Sequence, residues 1–245
     1  MRKKIIAIVT ALALALSLSA CAIGYVDDSS FVNEISETAV KAAVKIIAEY
    51  GTEEYGATFI GSGAICKTEG NRYYALTNNH VVEADPVYGQ CALYVFDCYG
   101  NVYDGWVENT SPKDDLAVVS FICFADTAEY GAPLAALEIA EKNAEPRTLV
   151  AAVGSPDGQF NAVTLGKIQR YAKIELTEEH SASHVSYPVV CHTAVIHGGS
   201  SGGMLVDENL KIVGINYAGG TLEETGEFVE GYAVPAEKIN EFLNA

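Results

Sequence analysis

The sequence predicts an all-β fold, a sandwich or barrel closed by one C-terminal helix, and three observations lead there. Hydrophobic residues make up 49% of the chain and 22 glycines are spread along it, a composition of globular rather than disordered proteins. Short apolar runs recur with Gly, Asn and Asp between them, as short strands joined by turns require. The last segment, Ala236 to Leu243, follows Pro235 and carries Ile239, Phe242 and Leu243 at helical spacing, so a helix ends the chain.

Taken in order, Glu37 to Tyr50 has helical propensity, with Ala39, Ala42, Ala43, Ile46 and Ile47 near one face. Val44–Ala48 equally fits a first strand, and that reading is preferred. Further strands are expected at Ala57–Cys66, Tyr73–Thr77, Cys91–Phe96, Val102–Glu108 and Leu116–Phe121. The second half adds Leu149–Val153, Val163–Tyr171, His184–Val190, Met204–Val206, Ile212–Tyr217 and Tyr232–Val234. No repeat and no low-complexity linker interrupts them.

The length of 245 residues suits one large all-β domain or two small ones. A net charge of −17 argues against nucleic-acid binding, which needs a basic face. The basic cluster Arg2, Lys3 and Lys4 instead leads into an apolar run from Ile5 to Leu16, the pattern of a secretory signal peptide. Leu18-Ser19-Ala20-Cys21 resembles a bacterial lipobox, which would leave Cys21 as a lipid-modified first residue. The bland alternative is an ordinary cleavage site with a chance cysteine. The expected division is a signal peptide at 1–20, a lipidated polar tether at 21–38 and a folded domain at 39–245. Several acyl chains would hold such a protein stably on the outer side of the cytoplasmic membrane, or beyond it. Losing residues 1–20 moves the charge from −17 to −20, which suits solubility outside the cell and disfavours acidic partners.

Besides Cys21 there are Cys66, Cys91, Cys98, Cys123 and Cys191, an odd number. Cys91 and Cys98 could close a small loop, though spacing alone assigns no bridge. Cys66, Cys123 and Cys191 sit in apolar runs and read as buried thiols. No spacing matches a zinc or redox motif.

The chemistry centres on residues 191–206, CHTAVIHGGSSGGMLV. Six small residues, Gly198 to Gly203, could be a loose turn between strands. They could instead form a tight path that exposes a serine Oγ and aims backbone N–H groups at one point, as an oxyanion hole does. A serine nucleophile needs a histidine to take its proton and a third group to orient that histidine. The chain offers His80, His180, His184, His192 and His197. His80 ends the run Ala75-Leu76-Thr77-Asn78-Asn79-His80, at a strand end where a surface or cap role is the ordinary alternative. Asp115 stands directly ahead of the apolar Leu116-Ala117-Val118-Val119, where it could orient an imidazole; a turn role, open also to Asp114, competes. In the order His80, Asp115, Ser201 the three signals reinforce one another.

At this point the residues resemble a known family. Gly61-Ser62-Gly63-Ala64-Ile65, Leu76-Thr77-Asn78-Asn79-His80-Val81-Val82, Asp115-Leu116-Ala117-Val118, Gly154-Ser155-Pro156 and Thr164-Leu165-Gly166-Lys167-Ile168 look like the chymotrypsin-fold serine proteases of the HtrA/DegP type. Gly199-Ser200-Ser201-Gly202-Gly203 and Gly231-Tyr232-Ala233-Val234-Pro235 complete the set, in the family's order. The resemblance implies a chymotrypsin-like double six-stranded β-barrel with a C-terminal helix. It implies Ser201 as nucleophile, His80 as general base and then acid, and Asp115 as the group that fixes the imidazole. It puts the oxyanion hole on the N–H groups of Gly199 and Ser201, and makes Ser200 a bystander where the family usually has Asn. Val195, Ile196, His197, Asn216, Tyr217 and Ala218 would line the substrate pocket. A small to medium apolar side chain is expected there, although His192 or His197 near the pocket could favour an acidic one.

His197-Gly198 stands where the family commonly has Asn-Pro, and Thr193 where it usually has Asp. No PDZ domain follows in the sequence. The expected activity is an exported, lipid-anchored serine endopeptidase acting on peptide or unfolded protein, without metal or organic cofactor. A catalytically silent relative that binds peptides along strand edges is the alternative, and an adhesin or structural lipoprotein would leave the Gly-Ser loop unexplained.

Overall fold

The computed structural model describes residues 28–51, 55–85, 87–124, 133–175, 185–222 and 224–245. The expected signal peptide and Cys21 lie outside the described residues, as do His180 and His184. Twelve strands form two closed six-stranded antiparallel barrels, the architecture the resemblance implied.

The first barrel runs in the order β1-β2-β3-β6-β5-β4. Its strands are β1 (Ala43–Gly51), β2 (Gly56–Glu69), β3 (Arg72–Thr77), β4 (Ala92–Phe96), β5 (Val102–Ser111) and β6 (Leu116–Ile122). In β1 the alternate residues Val44, Ile46, Ala48 and Tyr50 are buried, the period-two pattern of a strand with one wet face. β6 is buried through most of its length, between β3 and β5 in the closed barrel.

The second barrel has the order β10-β11-β12-β9-β8-β7. It is built from β7 (Leu149–Gly154), β8 (Ala162–Ala172), β9 (Val189–His192), β10 (Met204–Asp207), β11 (Ile212–Thr221) and β12 (Phe228–Pro235). Register shifts in β2, β5, β8 and β11 mark bulges, which bend long strands so that a sheet can close on itself. The C-terminal helix spans Ala236–Leu243 as expected and buries Ala236, Ile239 and Phe242. One apolar cluster joins the barrels, with Ile65, Leu76 and Leu116 from the first and Val153, Met204 and Ile215 from the second.

Two expectations are corrected. The segment 28–38, expected within the tether, is helical: an α-helix Asp28–Glu34 and a π-turn Ile35–Ala39 lead through a 3-10 turn Val40–Ala42 into β1. Phe31, Ile35 and Ala39 are buried, so this polar-looking stretch is docked on the first barrel's core by residues four apart. The strand expected at His184–Val190 occupies Val189–His192 instead. Pro188 has no N–H to give to a ladder, so pairing starts after it. Among the described residues no helix is long and apolar enough to cross a membrane. Cys66, Cys91, Cys98 and Cys191 are free thiols, so no Cys91–Cys98 bridge closes that loop.

Candidate active site

The strand β3 ends at Thr77, and Asn78 in extended conformation turns the chain into a single helical turn, Asn79–Val82. His80 is thereby thrust from the barrel end, half buried. Across from it, Asp115 occupies the turn before β6 with a φ of 50°, a left-handed conformation that Asp tolerates better than most residues. Its carboxylate receives the His80 backbone N–H at 3.0 Å, and the His80 Nδ1 lies 2.9 Å from Oδ2. Asn78 Nδ2 donates to the Asp115 carbonyl at 2.9 Å and ties the two loops together. Asp115 is only 1% exposed, so its charge faces the imidazole with little water between. Asp114 takes the turn role instead, accepting from Ser111 Oγ at 2.6 Å and, through its carbonyl, from Tyr187.

Ser201 comes from the second barrel. The loop that carries it is pinned by the Gly202 N–H to Asn216 O at 2.8 Å and the Gly203 N–H to Ser200 O at 2.9 Å. Gly202 has a φ of +85°, and a Cβ there would lie 2.1 Å from the Ser62 carbonyl oxygen; only glycine fits. The Ser201 carbonyl accepts the Ser62 N–H at 2.7 Å across the barrel seam. A Cβ added at Gly61 would meet Val81 at 2.6 Å and the Ser201 carbonyl at 3.2 Å, so the His80 turn and the Ser201 loop both crowd onto this one glycine. Ser201 Oγ itself donates to the Tyr217 carbonyl at 3.4 Å. Among the described residues the N–H groups of Gly199 and Ser201 have no acceptor.

The six expected pocket residues divide. Val195, Ile196 and Asn216 border a small cavity behind the loop, with Ser200, Gly154 and Thr164. Ile196 also passes beneath Gly219, where an added Cβ would touch it at 3.5 Å. Ala218 is half buried on β11 and His197 is exposed. Tyr217 turns its ring into the core, and burial, with the Asp115 charge behind it, raises its phenol well above the ordinary range; its carbonyl, rather than its side chain, faces Ser201. Asn216 exchanges backbone hydrogen bonds with Gly202 and Gly203; beyond it, among the described residues, β11 pairs only with β12, which leaves its other edge open beside Ser201. Ser200 Oγ accepts the His197 N–H at 3.2 Å and holds the loop closed. His192 is fully buried, with neither ring nitrogen hydrogen-bonded among the described residues; burial lowers its pKa to about 4. It sits in the wall of the barrel under Gly231, away from solvent.

Residues 61–215 match the family described as the trypsin-like peptidase domain. The serine protease Do-like HtrA of Lactobacillus helveticus is 30% identical over 190 residues, covering 75% of this chain and 42% of that protein. The periplasmic serine endoprotease DegP of Escherichia coli is 26% identical over 181 residues, covering 74% and 34%. The chain thus spans less than half the length of these curated relatives. Among solved structures, the HtrA-type protease AlgW with a tripeptide superposes with a TM-score of 0.66 at 24% identity, over 87% of this chain and 62% of the other. The two closed barrels and the match over 61–215 agree: this chain belongs to the trypsin-like peptidase family.

Proposed function

We propose that this protein is an exported, lipid-anchored serine endopeptidase that cleaves peptide bonds of unfolded or peptide substrates, in quality control or processing of envelope proteins. The observation that carries the reading is the His80–Asp115 pair, at 2.9 Å with a carboxylate 1% exposed, in the first barrel, with a loop of the second that leaves two backbone N–H groups without acceptors among the described residues.

In this reading Ser201 Oγ attacks the scissile carbonyl carbon and its proton passes to His80 Nε2. Asp115 holds the Nδ1 proton and stabilises the imidazolium without taking the proton itself. The carbonyl oxygen becomes an oxyanion received by the Gly199 and Ser201 N–H groups. Collapse breaks the C–N bond, the amine leaves with the proton from His80, and water then hydrolyses the acyl-enzyme by the same route. The open edge of β11 offers backbone groups to an extended peptide, which binds by strand addition. Ile196 lies close beneath Gly219, which supports a small apolar side chain before the scissile bond. No metal or organic cofactor takes part in this scheme. The lipid on Cys21 rests on the sequence pattern alone and supplies the membrane partner.

Treatment of residues 22–245 with a fluorophosphonate probe should label the native chain and leave Ser201→Ala unlabelled. Equal labelling of both would remove Ser201 from the role. The silent peptide binder draws on the Ser201 hydroxyl turning to the Tyr217 carbonyl; absence of labelling with retained peptide binding would favour it.

A further inference from the structure

Ser62 is fully buried on β2 of the first barrel, where its polar groups meet loops of the second. Each of its polar groups reaches a different part of the site. Its N–H donates to the Ser201 carbonyl at 2.7 Å. Its carbonyl accepts from Thr77 Oγ1, at the end of the strand that delivers His80, at 2.7 Å. Its hydroxyl accepts the Ser155 N–H at 2.8 Å and donates to the Gly199 carbonyl at 2.7 Å.

That last bond matters most. The Gly199 carbonyl fixes the peptide unit that lies between the two units carrying the Gly199 and Ser201 N–H groups, and Gly199 is in the left-handed region at φ +88°, where glycine is free to adopt more than one backbone state. The preceding carbonyl, of Gly198, is held by the Asp157 N–H at 2.6 Å. The loop backbone is therefore gripped at two successive carbonyls, one by a backbone donor and one by the Ser62 hydroxyl. A donor that stabilises developing charge works only if it is aimed before the charge appears, because reorientation during reaction forfeits the gain.

We propose that Ser62 is a positioning residue for the oxyanion loop: its hydroxyl bridges Ser155 of the second barrel to the Gly199 carbonyl and holds the Gly199 and Ser201 N–H groups aimed at the reacting oxygen. This rests on the reading of Ser201 as nucleophile. Ser62 touches no substrate, so it acts on the chemical step rather than on binding.

The test is Ser62→Ala beside the native chain, with fluorophosphonate inactivation resolved into kinact and KI, and fluorescent casein hydrolysis resolved into kcat and KM. Without the hydroxyl the Gly199 carbonyl and Ser155 N–H lose their shared partner. The expected result is a fall of about 10–10²-fold in kinact and kcat, below the 10²–10³ lost when an oxyanion donor is removed outright, with KI and KM within about twofold. Activity is scaled to the folded fraction from circular dichroism. Ser62→Cys, which keeps a weak donor, should lie between the two, and serves alone should the alanine variant not fold. Unchanged kinact per folded molecule, or a loss explained wholly by the folded fraction, would overturn the proposal while leaving Ser201 in place. A native chain that takes no label would sink both.

Discussion

At Asp115 the backbone holds φ 50° and the carboxylate receives two hydrogens from His80, one from its backbone and one from its ring. Asn tolerates the same backbone state, and its amide oxygen still accepts the backbone N–H. What it loses is the charge and the acceptor pair that fix the imidazole tautomer. Asp115→Asn should therefore keep the thermal midpoint within a few degrees and lower kcat by about 10⁴, measured on casein with circular dichroism as the control. The pair itself was legible in the sequence, since a histidine at a strand end and an acid ahead of an apolar strand mark two loops at one end of a barrel. Ser62 was legible only as part of Gly61-Ser62-Gly63. Its hydroxyl partners lie 93 and 137 residues away along the chain, and no local pattern announces such contacts. Tyr217 shows a similar limit: a sequence names side chains, whereas here the backbone carbonyl accepts from Ser201 Oγ.

Among the elements, the entry helix shows where polar composition misleads. Asp28, Ser30, Asn33 and Glu34 suggested a solvated tether, yet Phe31, Ile35 and Ala39 recur every fourth residue and are buried together. The spacing was readable; three apolar residues among many polar ones did not outweigh the composition. Ile35 is fully buried, so Ile35→Ala should destabilise the protein by about 2–5 kcal/mol through the lost methylenes and the cavity left behind, read from urea midpoints at unchanged m-value. A tether would register no change. The C-terminal helix was legible residue for residue, because Pro235 ends β12 with no N–H to donate and Ile239 and Phe242 are buried together. The ninth strand slipped past its expected limits because Pro188 vetoed pairing within an otherwise apolar run.

For the molecule as a whole, pH is the informative variable. His192 is fully buried with its pKa lowered from 6.5 to about 4 by desolvation. The folded state thus refuses a proton that the unfolded chain accepts. Its contribution to stability is complete above about pH 6.5 and is lost progressively as pH falls toward 4, some 3 kcal/mol in all by linkage. Urea unfolding between pH 7 and pH 4 should show this slope, and His192→Leu should flatten it. Double-barrel architecture was legible through the ordered motifs, whereas which elements cross the seam depended on packing that only three dimensions supply.

The seam has a consequence in time. His80 and Asp115 belong to the first barrel and Ser201 to the second, and Ser62 spans the two. On the proposed reading, chemistry that needs His80, Asp115 and Ser201 together cannot begin on a half-made chain, because neither half contains the set. Closing contacts between such distant segments is slow compared with local turns and hairpins, so docking of the barrels comes late in folding. On the proposed reading, a nascent chain stays inactive toward its neighbours until the two barrels have docked.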